Sequence, residues 1–155
     1  MPFTWVLAVT IVALVAGGCS SGYEALGTHT ARVLINGSEI EERPPIRCEQ
    51  VGWVWFIESL QQKPGFTAQV HTGDTVGARL VRIEDLGGFT GSAWNATATA
   101  ATATAATAAT AVAARVETDA TLTEGTFTIT GTAVGYYSDD PSETATADFE
   151  IRTDC

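Results

Sequence analysis

The sequence predicts a mainly β protein: a single antiparallel β-sheet or sandwich domain, with at most one short helix. Two observations carry this. Short segments alternate threonine or charge with apolar side chains, as in Thr126-Phe127-Thr128-Ile129 and Arg79-Leu80-Val81-Arg82-Ile83. Gly, Asn and Asp punctuate them, as at Asn36-Gly37 and Gly87-Gly88. At 155 residues the chain has room for one packed core and not for two.

The first element is a leader. From Pro2 to Gly18 no side chain is charged. The apolar run is shorter than the roughly 20 residues a spanning helix needs and fits the roughly 7–15 of an export signal. It ends in Val15-Ala16-Gly17-Gly18 before Cys19, and Ser20-Ser21-Gly22 follows. Small residues leading to a cysteine resemble a bacterial lipobox. In such proteins the thiol receives a diacylglyceryl group, a peptidase cuts just before the cysteine, and the new amino group can be acylated too. Two or three chains, at roughly 0.8 kcal/mol per buried methylene, anchor stably where one does not. Residues 1–18 therefore read as a lipoprotein signal peptide. An uncleaved signal anchor and an ordinary secreted protein are the alternatives. Residues 19–31 lack apolar periodicity and read as a flexible tether.

The β domain spans residues 32–155. Arg32-Val33-Leu34-Ile35 meets Asn36-Gly37, a strong hairpin turn. Ile46–Glu49 reads as a strand. Val51–Ile57 is apolar on both faces and reads as a central strand covered on both sides. A helix fits Ile57–Gln62, stopped by Pro64-Gly65. Phe66–Val70 is a strand ended by the turn Thr72-Gly73-Asp74, and Arg79–Ile83 alternates like a half-buried strand. Strands follow at Phe89–Trp94, Thr126–Val134 and Ala145–Arg152. Residues 96–114 are almost wholly Ala and Thr. Ala favours helix and Thr favours strand, so propensity leaves their conformation open. Without large side chains they supply little core, and they read as an insertion, protruding or paired at an edge, or a platform for O-linked sugars.

Charge narrows the function. A formal net charge of −10 repels phosphate backbones and argues against nucleic acid as a partner. It also argues against holding anionic lipid by charge alone. Catalytic chemistry has no recognisable place. The two histidines are His29, in the tether, and His71, at a strand end. Ser59 and Ser92 stand in no nucleophile-elbow context. His71 with Asp74 makes two metal ligands, too few for a site. Glu39, Glu41 and Glu42 read as a solvated run, and Asp139-Asp140-Pro141 as a turn. No cofactor and no metal is expected. The aromatic residues Trp53, Trp55, Phe56, Phe66, Phe89 and Trp94 read first as core. A second reading has Trp53, Trp55, Phe66, Phe89 and Trp94 lining a pocket for acyl chains.

Several segments together resemble the mycobacterial nineteen-kilodalton lipoprotein antigen family. They are the lipobox cysteine, Val33-Leu34-Ile35-Asn36-Gly37, Cys48, Ala68–Asp74, Phe127–Gly135, and Asp148-Phe149-Glu150-Ile151 before the terminal Cys155. The resemblance covers most of the mature chain, with the Ala/Thr tract as an insertion. It implies an acylated antigen on the extracytoplasmic face of the cell membrane, exposed at the surface and without catalytic residues. The implied partners are the membrane, through the acyl chains, and host receptors or cell-wall glycolipids. It also implies a Cys48–Cys155 disulfide, the two cysteines that remain once Cys19 is acylated. The expected function is that of a surface antigen acting in interaction or adhesion. The alternative is a periplasmic carrier of lipids or glycolipids.

Overall fold

A computed structural model describes residues 29–95 and 117–155, and every regular element among them is a strand. In chain order these are β1 (His29–Thr30), β2 (Arg32–Ile35), β3 (Ser38–Glu39), β4 (Pro45–Val51), β5 (Val54–Ser59) and β6 (Gly65–Thr72). They continue with β7 (Val76–Leu86), β8 (Phe89–Trp94), β9 (Thr118–Thr123), β10 (Thr126–Tyr137) and β11 (Asp140–Asp154). All belong to one antiparallel sheet, in the order β1-β4-β5-β6-β7-β8-β10-β11-β2-β3. β10 is long enough to serve two neighbours along one edge: Thr126–Gly131 pairs with β9, and Val134–Tyr137 pairs with β8.

The sheet curls into a half-barrel, because one face of every long strand is apolar and must be removed from water. Alternation sets that face. In β10 it is Phe127, Ile129 and Ala133; in β11 it is Ala147, Phe149, Ile151 and Thr153. Registers put buried on buried, with Phe127 opposite Thr153 and Ile129 opposite Ile151. β2 adds Val33 and Ile35, β6 adds Phe66, Ala68 and Val70, and β7 adds Val81 and Ile83. Curling brings the two halves together: the Trp55 ring of β5 meets Phe127 of β10 at 5.4 Å between centroids, tilted by 56°. Cys48 of β4 is bonded to Cys155 just beyond β11, with Cα atoms 5.9 Å apart and a sequence separation of 107. The disulfide expected from the family resemblance is therefore present.

Turns follow the punctuation. Asn36 and Gly37 both take positive φ, 50° and 77°, the backbone a two-residue hairpin asks for. Asn36 also ties that turn to the neighbouring strands. Its Oδ1 accepts from the Asp148 amide at 2.9 Å, and its Nδ2 donates to the Tyr137 hydroxyl at 2.7 Å. Asn36→Ala removes both bonds and puts a less tolerant residue at positive φ. The expected loss is about 1–2 kcal/mol, read as a lower urea midpoint at unchanged slope.

Three sequence expectations are corrected. Val51–Ile57 is not one covered strand: the chain reverses at Gly52–Trp53, where Gly52 has φ 61°, and β4 and β5 form a hairpin. No helix occupies Ile57–Gln62. Ile57 is fully buried in β5, opposite both Cys48 and Ala68, and such cross-strand pairing overrides a six-residue helix propensity. The tether ends earlier than residue 31, because His29 and Thr30 pair with Ile46 and Pro45 and Ala31 is fully buried. β9 was not expected. The Ala/Thr tract at 96–114 lies outside the described residues.

Candidate functional site

The five aromatic residues proposed as a pocket lining are not gathered in one place. Trp55, Phe66 and Phe89 point into the core, Phe66 3% exposed and Phe89 fully buried. Phe89 packs edge-on against Tyr137, centroids 5.2 Å apart. Trp53 and Trp94 point elsewhere. Trp53 sits in the β4–β5 turn and is 67% exposed. Trp94 lies on the outer face of β8, opposite Leu80. Phe56, the sixth aromatic, also faces outward, opposite Glu49 and Gln69.

The clefts are polar. One of about 380 Å³ is lined by Glu58, Gln61, Gln62, Lys63, Arg82 and Glu84, among others, and it touches the interior only through Phe66. Its charges are matched, with Lys63 at 3.8 Å and Arg82 at 2.5 Å from the Glu84 carboxylate. Another of about 470 Å³ lies among Asn95, Glu117, Asp119 and Thr130–Thr132. Neither offers the long apolar wall that an acyl chain needs.

The side chains singled out in the sequence hold turns or surface ion pairs and do not converge on one place. His71 Nδ1 accepts from the Gly73 amide at 3.3 Å, closing the β6–β7 turn. Ser59 Oγ accepts from the Phe66 amide at 2.9 Å, so it holds the chain where β6 starts. Glu39 pairs with Arg32 at 2.7 Å and with Arg43 at 3.1 Å. Hydrogen bonding from the Arg32 guanidinium, first among the causes, holds its carboxyl below the usual carboxylate value; on an exposed surface such a pair adds little to stability. Ser142 donates to Asp140 at 2.8 Å at the start of β11. Among the described residues, no three His, Cys, Asp or Glu side chains are placed to share a metal ion. Cys19 lies outside the described residues.

What sequence reasoning missed is an outer surface. Leu80 and Trp94 face each other across β7 and β8, 36% and 37% exposed. Val51 and Trp53 are exposed separately at the β4–β5 turn, with Gln69 and His71 of β6 between them and Leu80. A signal was present in the sequence: Gly52-Trp53 splits the apolar run where a turn residue stands beside a large side chain.

Comparison with known proteins gives the lineage. Residues 24–155 match the model of the Mycobacterium 19 kDa lipoprotein antigen family. A protein of Mycobacterium avium subsp. hominissuis named as a lipoprotein is 31% identical, over 98% of this chain and 94% of its own length. Another from Mycobacterium indicus pranii, named the same way, is 29% identical over 94% of this chain and 92% of its own. The match spans every described strand, both disulfide cysteines and the threonine-alternating β10: the chain belongs to the mycobacterial 19 kDa lipoprotein antigen family.

Proposed function

We propose that the chain is exported, cut before Cys19, and held by acyl chains on that cysteine at the extracytoplasmic face of the cell membrane. There the β domain works without catalysis, as a surface antigen that makes adhesive contacts with host receptors or cell-wall glycolipids. The observation that carries this reading is the family match, joined to a leader whose small residues run directly into Cys19. The similarity to the Mycobacterium avium protein covers 98% of the chain and so takes in the leader as well as the sheet. The filled interior favours display over transport. A carrier needs an open apolar cavity, whereas Phe66, Phe89 and Phe127 occupy the inside of this half-barrel.

Cys19→Ser tests the anchor. The wild-type protein from the membrane fraction is expected at the mass of residues 19–155 plus acyl groups, and to gain two protons on reduction. The serine variant is expected to carry no acyl mass and to retain residues 1–18, because the cut follows acylation of the thiol. An unacylated wild-type mass, or one retaining residues 1–18, removes the anchor. For the adhesive role, the purified domain is expected to bind whole host cells or extracted cell-wall glycolipid saturably. Equal binding to bare plastic rejects that role.

A further inference from the structure

The β4–β5 tip is an exposed apolar end, and β1 points toward it. In β1, Thr30 pairs with Pro45 and His29 with Ile46. Followed from Thr30 to His29, β1 thus runs along β4 in the direction of Val51 and the Gly52–Trp53 turn. From Ile46 to that turn is six residues, roughly 20 Å of strand. From His29 back to Cys19 is ten residues, which reach roughly 35 Å when extended. The lipobox cysteine can thus lie level with Trp53 with chain to spare.

At that end the sheet presents side chains suited to a lipid–water boundary. Trp53 is 67% exposed and Val51 58% exposed, and the interface, unlike the hydrocarbon core, still hydrates the backbone groups of a hairpin turn. The Trp53 carbonyl is itself satisfied by the Thr72 amide at 2.8 Å. Behind the tip the outer face carries Val54 and Phe56, and beyond Gln69 of β6 the Leu80–Trp94 pair. Arg79, bulged out beside Leu80 in β7, is exposed and brings a cation to the same face. An indole at the level of the headgroups is favoured because its ring is apolar and its N–H finds water or phosphate. Exposed tryptophan and valine at one tip need some partner, since soluble surfaces rarely group large apolar side chains.

We infer that the β4–β5 hairpin tip, Val51 and Trp53, lies in the bilayer interface when the anchor is inserted, so that the domain is held in one orientation by two contacts with the same membrane. The inference rests on acylation of Cys19. Glu49 on the outer face and Asp74 in the neighbouring turn confine the contact to zwitterionic headgroups, because an acidic domain is repelled from anionic lipid. The acidic surfaces elsewhere then face away from the membrane or lie along it.

The test uses the acylated mature protein in phosphatidylcholine vesicles, some prepared with lipid brominated near the headgroup. Flotation with the vesicles is measured first. A variant with Trp55→Phe and Trp94→Phe keeps Trp53 as the reporter. Its emission is expected to be blue-shifted and to fall by about half or more in brominated vesicles, as for an interfacial indole. Part of this quenching should disappear when anionic lipid is mixed in. Trp53→Ala in the wild-type background is expected to lose most of the bromolipid quenching while still floating. Should the wild-type protein fail to float, the anchor is wrong and this contact goes with it. Should it float while Trp53 stays unquenched by brominated lipid and open to acrylamide, the anchor stands and the tip contact is overturned. If the double variant does not fold, the comparison of wild type with Trp53→Ala decides alone: equal quenching in the two rejects the contact.

Discussion

Replacing Cys48 and Cys155 together by serine is expected to lower the free energy of unfolding by about 3–5 kcal/mol. The bridge spans 107 residues, and a loop near 100 residues corresponds to about 4.7 kcal/mol of lost freedom in the unfolded chain. The native side costs little, since the two Cα atoms stand 5.9 Å apart, within the usual range. Few other covalent or hydrogen-bonded links do the same work. β1 contributes two paired residues to β4, so most of what joins β4 to the last strands is the disulfide and side-chain packing such as Trp55 on Phe127. For a domain of this size the thermal midpoint should fall by roughly 10–20 °C. Reduction of the wild-type protein should reproduce the shift. A midpoint that does not move under reductant would mean that core packing alone closes the half-barrel.

Gly135→Ala is the second large effect. β8 and β10 meet with Gly135 opposite Gly91, and a Cβ on Gly135 would fall onto the Thr90 carbonyl and the Gly91 Cα. These are backbone atoms, so no rotamer change relieves the clash and the strands must separate. Phe89 and Tyr137, packed edge-on beside this crossing, then lose their contact. The expected cost is about 3 kcal/mol, at the upper end of overpacking. Gly77→Ala is the control: a Cβ there has open space and the backbone is not at positive φ, so stability should change by no more than about 0.5 kcal/mol. Urea unfolding of the two variants side by side decides it. Equal effects would mean that the close approach of β8 and β10 is not a constraint.

Much of the sheet was legible because its strands alternate. In β10 and β11 threonine and acid face out while Phe and Ile face in, and period two is the most direct sign a sequence gives of a half-buried strand. Turns were legible where glycine or asparagine supplies positive φ. Side-chain type by itself misleads about burial and pairing. Val51 and Trp53 are apolar but exposed, so their run looked like a covered strand. Ile57 to Gln62 contains good helix formers, yet Ile57 has partners on two strands that a local reading cannot see. β9 was missed for the opposite reason. Its buried residues are Thr118 and Ala120, small side chains that give a weak alternation, and Thr118 satisfies its hydroxyl on the Thr130 carbonyl at 3.2 Å.

The site was less legible than the fold. The 48–155 bond is where the resemblance implied. The aromatic residues did not sort themselves, because an indole looks the same in sequence whether it packs on Phe127, as Trp55 does, or stands in a turn, as Trp53 does. Only the register of the strands separates them.

The bridge between β4 and the chain terminus also decides how the molecule carries a mechanical load. A pull that enters at the N-terminus and leaves at the C-terminus passes from Cys48 straight to Cys155 through the sulfur atoms. Residues 49–154 form a closed covalent loop beside that path and bear no end-to-end tension. Only the segment before Cys48 lengthens, beginning with the two-residue β1. Such a pull would thus strip β1, β2 and β3 from the sheet, taking Val33 and Ile35 out of the core, while β5 to β11 stay within the closed loop.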